Sequence, residues 1–199
     1  MLKNNMEFKI ILLQDLLDSL GDLETDRILK TFKSIPSDKI NDVECFLHDK
    51  AIQFEKSSIS TTHLVFKNST LVGYFSLANK KLIIGDKNYK KLSNNQKRKL
   101  CKKGEKLENG SYYINSYLIG QLGKNYSNSL NGDAISGNEL LTLAYNTLLK
   151  VKSLISARYV WLECEDNPKL ISFYENFGFT LIPEFESTNG LKVLIMKLK

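Results

Sequence analysis

The stretch from Ser111 to Phe179 constrains this chain more than any other, because it lays down four consecutive elements with distinct patterns. "SYYINSYLIGQLG" is rich in aromatic and β-branched residues and reads as one long strand. "GNELLTLAYNTLLKVKSLI" carries Leu140, Leu141, Ala144, Leu148, Val151 and Ile155 on one stripe, the mark of an amphipathic helix. "RYVWLEC" then reads as a buried strand. In "NPKLISFYENFGF", Asn167 is a good N-cap and Pro168 suits the first helical position. Leu170, Ile171, Phe173, Tyr174 and Phe177 recur every three or four residues, and Gly178 supplies the left-handed residue that ends such a helix.

The flanking sequence fits a sheet with helices. "FKIILL" is a strand or the start of an apolar helix, and two amphipathic helices are expected over 16–32 and 38–54. "SIPSDK" separates them, with Ser37 or Asp38 as cap of the second. "TTHLVFKNSTLVGYFSLANKKLIIG" reads as a hairpin turning at Asn68-Ser69, and "FTLIPEF" and "KVLIMKL" as closing strands.

A length of 199 residues suits a single domain, 1–199. Cys45, Cys101 and Cys164 are odd in number and lack metal-ligand spacing, so they are expected as reduced thiols with no metal site. His48 and His63 have no nucleophile pattern nearby, which disfavours a hydrolase triad. The first ten residues hold no apolar core for a signal peptide, and no run is long enough to span a membrane, so a cytoplasmic protein without membrane partners is expected.

The net charge of +6 is concentrated. Between Lys80 and Lys106, eleven Lys or Arg face only Asp86 and Glu105, which gives +9 there and leaves −3 elsewhere. A basic insert at about 80–106, read as helical over 87–106, is either a solvated lysine-rich surface or a binder of nucleic acid or nucleotide phosphates. Ahead of the long helix lies "NGDAISGNELL". Ser136 and Glu139 fit a capping box that starts the helix at Gly137 or Asn138. Gly132, Ala134, Ser136 and Gly137 are small enough for a pyrophosphate to approach the backbone at the positive helix end. Neither the lysine-bearing P-loop nor G-x-G-x-x-G is present, which disfavours nucleotide hydrolysis and dinucleotide binding.

The order strand, phosphate-type loop, long helix, strand, then "NPKLISFYENFGF" resembles the Gcn5-related N-acetyltransferase family, most closely over 111–198. Asn167, Tyr174 and the closing Phe177-Gly178-Phe179 look like the family's N-x-x-A-x-x-x-Y-x-x-x-G-F signature, with Leu170 where Ala is usual. The family's Q/R-x-x-G-x-G/A loop falls on Gly132 to Gly137, and only Gly137 agrees, with Ile135 standing where the first Gly would be. The resemblance implies an α+β fold: a mixed, mostly antiparallel central sheet flanked by helices, with a V-shaped split between two central parallel strands.

It also implies acetyl transfer from acetyl-CoA, as co-substrate, to a primary amine. Leu122, Gly123 and Lys124 would bond the pantetheine through their backbone, Asp133, Ala134, Ile135, Ser136, Gly137 and Asn138 would meet the pyrophosphate, with the Asp133 carboxylate turned away, and Asn167 would bond the pantetheine arm. Tyr174 would protonate the departing thiolate, since a phenol is protonated at neutral pH. No carboxylate lies on the long strand, so Glu163 is the candidate base, with Glu165 and Asp166 as neighbours, and an α-amine of low pKa is the favoured acceptor. "LIGQLGKNY" is similar to a strand end of the tRNA-acetylating toxin branch, where Lys90, Lys91, Lys97, Arg98, Lys102 and Lys103 would cradle RNA. A small-molecule amine, a protein amine, or a non-catalytic CoA-binding module are the alternatives, and a homodimer or an antitoxin-like partner is compatible with each.

Overall fold

The computed structural model describes residues 8–36, 41–102, 104–130, 133–185, 187 and 189–199. They divide into two compact units, Met1–Ala78 with Gly120–Asn146, and Asn79–Ile119 with Thr147–Lys199.

In the first unit, β1 (Lys9–Leu12) passes into α1 (Leu13–Leu29), where Gly21 at φ +74 interrupts the helix. Asn41 caps α2 (Asp42–Cys45) by accepting from the N–H groups of Val43 and Glu44; the caps expected there, Ser37 and Asp38, lie outside the described residues. A π-helical segment, Phe46–Lys50, joins α2 to α3 (Ala51–Lys56). The hairpin of β2 (Thr61–Lys67) and β3 (Thr70–Ala78) turns on Asn68 and Ser69, both with positive φ, the geometry that matches the twist of paired strands. β3 is buried on both faces, so its inward and outward residues are not distinguished by polarity. Leu13, Leu29, Phe32, Leu47, Leu64 and Tyr74 form the sealed centre of this unit.

The second unit opens with β4 (Leu82–Ile84) and α4 (Asp86–Lys91). The basic segment is not one helix. Ser93 and Gln96 form a capping box that starts α5 (Asn94–Gln96), a π-helical segment follows over Lys97–Cys101, and β5 (Glu105–Lys106) is extended. The long strand expected over 111–123 is two strands. β6 (Tyr112–Ile114) joins β4 and β5 in a three-stranded sheet, whereas β7 (Ser116–Lys124) belongs to the large one. Buried Ser116 fixes the break: its Oγ accepts the Leu82 N–H at 2.9 Å and lies 2.9 Å from the Lys80 carbonyl oxygen and 3.0 Å from that of Ile114.

After α6 (Gly137–Leu154), the chain forms β8 (Tyr159–Cys164), α7 (Pro168–Phe177), β9 (Thr180–Leu181) and β10 (Lys192–Lys197). The strand expected over 179–185 shrinks to two residues, because Pro183 has no N–H to donate and Glu184 sits at φ +54.

The large sheet runs β1-β2-β3-β7-β8-β10-β9 and is mixed: β7 and β8 are parallel, while β1-β2, β2-β3, β8-β10 and β9-β10 are antiparallel. The parallel ladder covers only Ser116–Leu118 against Tyr159–Trp161, although β7 goes on to Lys124 and β8 to Cys164. No described helix is long and apolar enough to cross a membrane.

Candidate active site

The start of α6 is built as its sequence suggests. The Ser136 N–H donates to Glu139 Oε2 at 2.8 Å, and the Glu139 N–H donates to Ser136 Oγ at 3.2 Å. The Ser136 bond holds the Glu139 carboxyl below its ordinary range, with Lys67 and Lys124 adding to the effect. The capping box uses one helix-end donor. The N–H groups of Gly137 and Asn138 have no acceptor among the described residues, and such helix-end donors could hold an anion.

Asp133, the awkward carboxylate of this loop, is occupied. Asn68 Nδ2 donates to its Oδ2 at 2.8 Å, and Lys67 Nζ lies 3.4 Å from its Oδ1. Lys67 and Asn68 were not foreseen as site residues. They sit at a hairpin 65 positions upstream of their partner Asp133, and nothing in the local sequence couples the two. Ile135 does not offer a glycine-like open backbone, since its side chain is 1% exposed and packs beside Gly73. Gly132 lies outside the described residues.

At the end of β7, Leu122 and Lys124 are half-buried, and Lys124 Nζ stands 5.1 Å from the centre of the Tyr126 ring. Gly123 is needed for packing: an added Cβ would lie 2.5 Å from Val43 Cγ1 and 2.7 Å from Tyr74 Cε1.

In the second unit, Asn167 caps α7 through its Oδ1, which accepts from the N–H groups of Lys169 at 3.0 Å and Leu170 at 3.4 Å. Its exposed Nδ2 donors have no partner among the described residues. Tyr174 lies about two helical turns further on, held edge-to-face between Phe173 and Phe179 at ring distances of 5.0 and 5.9 Å. The residue is 8% exposed, yet its hydroxyl has no hydrogen-bond partner among the described residues and is not among their fully enclosed, unpaired polar atoms. Burial pushes the phenol pKa well up, and Cys164 adds to the rise. Glu163 is half-buried on β8; burial pushes its carboxyl up, against an opposing pull from Lys80. Glu165 and Asp166 are exposed, and Asp166 pairs with Lys192 at 3.2 Å.

The basic residues separate into two groups. Lys90 pairs with Asp86 at 2.6 Å, and Lys97 lies over the Tyr89 ring at 4.9 Å. Lys91, Arg98 and Lys102 line a cavity of about 950 Å³ together with Lys99, Arg158 and Lys197. Lys103 lies outside the described residues. No group of metal-ligating side chains occurs among the described residues. The three cysteines are free thiols.

No protein-family model and no curated protein matches the chain. Solved structures do. AtaT complexed with acetyl-methionyl-tRNAfMet is 19% identical and superposes with a TM-score of 0.63 over 96% of this chain and 95% of its own. A KacT mutant is 15% identical, with a TM-score of 0.63 and coverage of 96% and 95%. AtaTR bound with AcCoA is 18% identical, with a TM-score of 0.59 and coverage of 96% and 94%. The chain has the Gcn5-related N-acetyltransferase fold. In that fold the short parallel ladder of β7 and β8, the capped start of α6 and the Asn-Pro opening of α7 fall in the order that the sequence resemblance implies.

Proposed function

We propose that this chain is an acetyl-CoA-dependent N-acetyltransferase, with residues 1–199 acting as one acyltransferase domain. The observation that carries the proposal is the Tyr174 hydroxyl: protonated, desolvated and unpartnered among the described residues, on the helix that Asn167 launches. Structures of the same fold that hold AcCoA support the donor.

In the proposed reaction the amine attacks the thioester carbonyl, a tetrahedral intermediate forms, and the C–S bond breaks as the amide forms. Tyr174 gives its proton to the CoA thiolate. Glu163, made more basic by burial, takes a proton from the attacking nitrogen. The free N–H groups of Gly137 and Asn138 hold the pyrophosphate at the positive end of α6, with Lys67 and Lys124 adding charge. Ala134 and Ile135 contribute main chain only, Ser136 acts through the cap it forms with Glu139, and Asp133 is paired with Lys67. Leu122, Gly123 and Lys124 bond the pantetheine amides through their backbone, and the Asn167 Nδ2 donors bond its carbonyls.

The proposed acceptor is the α-amino group of an aminoacyl-tRNA. A free α-amine near pKa 8 is partly unprotonated at neutral pH and needs less help from a base than a lysine does. Lys90, Lys91, Lys97, Arg98, Lys102 and Lys103 would hold its phosphates. The AtaT structures with acetyl-methionyl-tRNAfMet and with the antitoxin AtaR support tRNA and an antitoxin-like protein as partners. One observation favours a non-catalytic CoA-binding module instead: Ile135 is buried where the family's loop has glycine.

An acceptor screen with labelled acetyl-CoA tests these, using charged tRNA, small amines and protein N-termini. The tRNA version requires binding that weakens steeply with salt, with a slope reduced by about 0.7 to 0.9 for each phosphate contact removed by Lys→Ala changes. Turnover of a small amine that ignores salt would exclude it, and no acetyl transfer to any acceptor would leave only the binding module.

A further inference from the structure

The 950 Å³ cavity of the second unit shares Lys91, Arg98 and Lys102 with the proposed tRNA surface, but it also has an apolar floor that phosphate binding does not use. Its floor is aliphatic, made by Leu100, Leu181, Ile182 and Ile195. Around it stand Arg98, Lys99, Lys102, Arg158 and Lys197, with Glu184 as the lone carboxylate among the described lining residues. None of these five cations has an ion-pair partner among the described residues, whereas Lys81, Lys90 and Lys192 of the same unit do. Arg158 goes further: its Nε is buried without any hydrogen-bond partner. A partly buried guanidinium with an unanswered N–H, next to four unpaired cations, is a site made for anions.

The floor decides which anion. A nucleic-acid base would stack on an aromatic face, and Tyr159 here is buried, with the Arg158 guanidinium 5.8 Å from its ring centre. Leucine and isoleucine side chains are instead matched by aliphatic side chains. The cavity also borders a short sheet edge: β9 pairs with β10 through Thr180 and Leu181, the Ile182 N–H donates to the Val193 carbonyl, and the outer side of Met196 and Lys197 carries no strand partner among the described residues. An extended peptide can add main-chain bonds at such an edge while its side chains enter pockets.

We infer that this cavity docks an acidic, aliphatic peptide segment of a partner protein, with leucine-type side chains on the floor formed by Leu100, Leu181, Ile182 and Ile195, and with carboxylates on Arg98, Lys99, Lys102, Arg158 and Lys197. This does not rest on the chain being a transferase.

Fluorescence polarisation on the full chain tests it, with a short labelled peptide of interspersed leucine and glutamate as probe. Saturable binding at physiological salt is expected. It should weaken about tenfold or more when the leucines become serine, and similarly in the R98A/K102A double variant, as loss of an anchor or of its charge partners does at an interface. L181N should weaken binding by lesser steps, and thermal melts by circular dichroism establish that each variant is folded. Equal binding of the serine peptide, tighter binding of oligouridylate at the same residues, or self-association of the chain that these variants abolish would each overturn the inference.

Discussion

Tyr174 and Glu163 are the acid and the base of the proposed reaction, and burial acts on both in the same direction. It raises both pKa values, which makes the carboxylate a better base and leaves the phenol protonated but a weaker donor, so that its worth rests on position. Y174F should lower kcat by about 10² to 10⁴, the usual worth of positioned proton transfer. CoA binding, measured by calorimetry, should be unchanged, and equal turnover of the two proteins would remove Tyr174 from the mechanism. A carboxylate acts as a base only above its pKa, so the acidic limb of kcat/KM should lie above the ordinary Glu value of 4.5 and vanish in E163Q. A limb that persists in E163Q assigns the base elsewhere. At this scale the Asn167 cap and the Ser136–Glu139 pair were legible in the sequence, since capping is local. Lys67 was invisible because its role depends on a loop far along the chain.

At the scale of elements, β7 shows how tightly the fold constrains one position. The backbone at Gly123 leaves no room for a methyl group between Val43 and Tyr74. G123A should therefore destabilise the protein by about 1–3 kcal/mol, the usual cost of overpacking, read from urea denaturation. A change smaller than the error of that measurement would mean that the surrounding side chains give way. The helices α6 and α7 were legible because each carries its own cap and stripe. Two other elements were not. The division of one apparent strand into β6 and β7 depends on Ser116 bonding Leu82 and lying within reach of the Lys80 carbonyl, partners more than thirty residues away. The basic segment reads as helical in composition, but Ser93 restarts it and its tail pairs with β6.

At the scale of the whole molecule, global stability has a built-in pH dependence. His63 is 7% exposed and stacked on Phe75 at 4.7 Å, and burial lowers its pKa to about 4. Because the folded value lies below the unfolded 6.5, the unfolded chain binds more protons between the two. Stability from this group is complete above about pH 6.5 and falls as pH drops toward 4, by on the order of 1.4 kcal/mol per unit at most. H63F should flatten that part of the stability curve measured by urea titration from pH 4 to 7; an unchanged slope would place the proton uptake on other groups. The overall sheet was foreseeable from its strand order. The division into two units was not, because both β7 and α6 pass from one to the other. That crossing has a consequence for biosynthesis. The first unit has all its parts once Asn146 has left the ribosome, while 79–119 hangs from it as an unfinished loop until 147–199 emerges to complete the second.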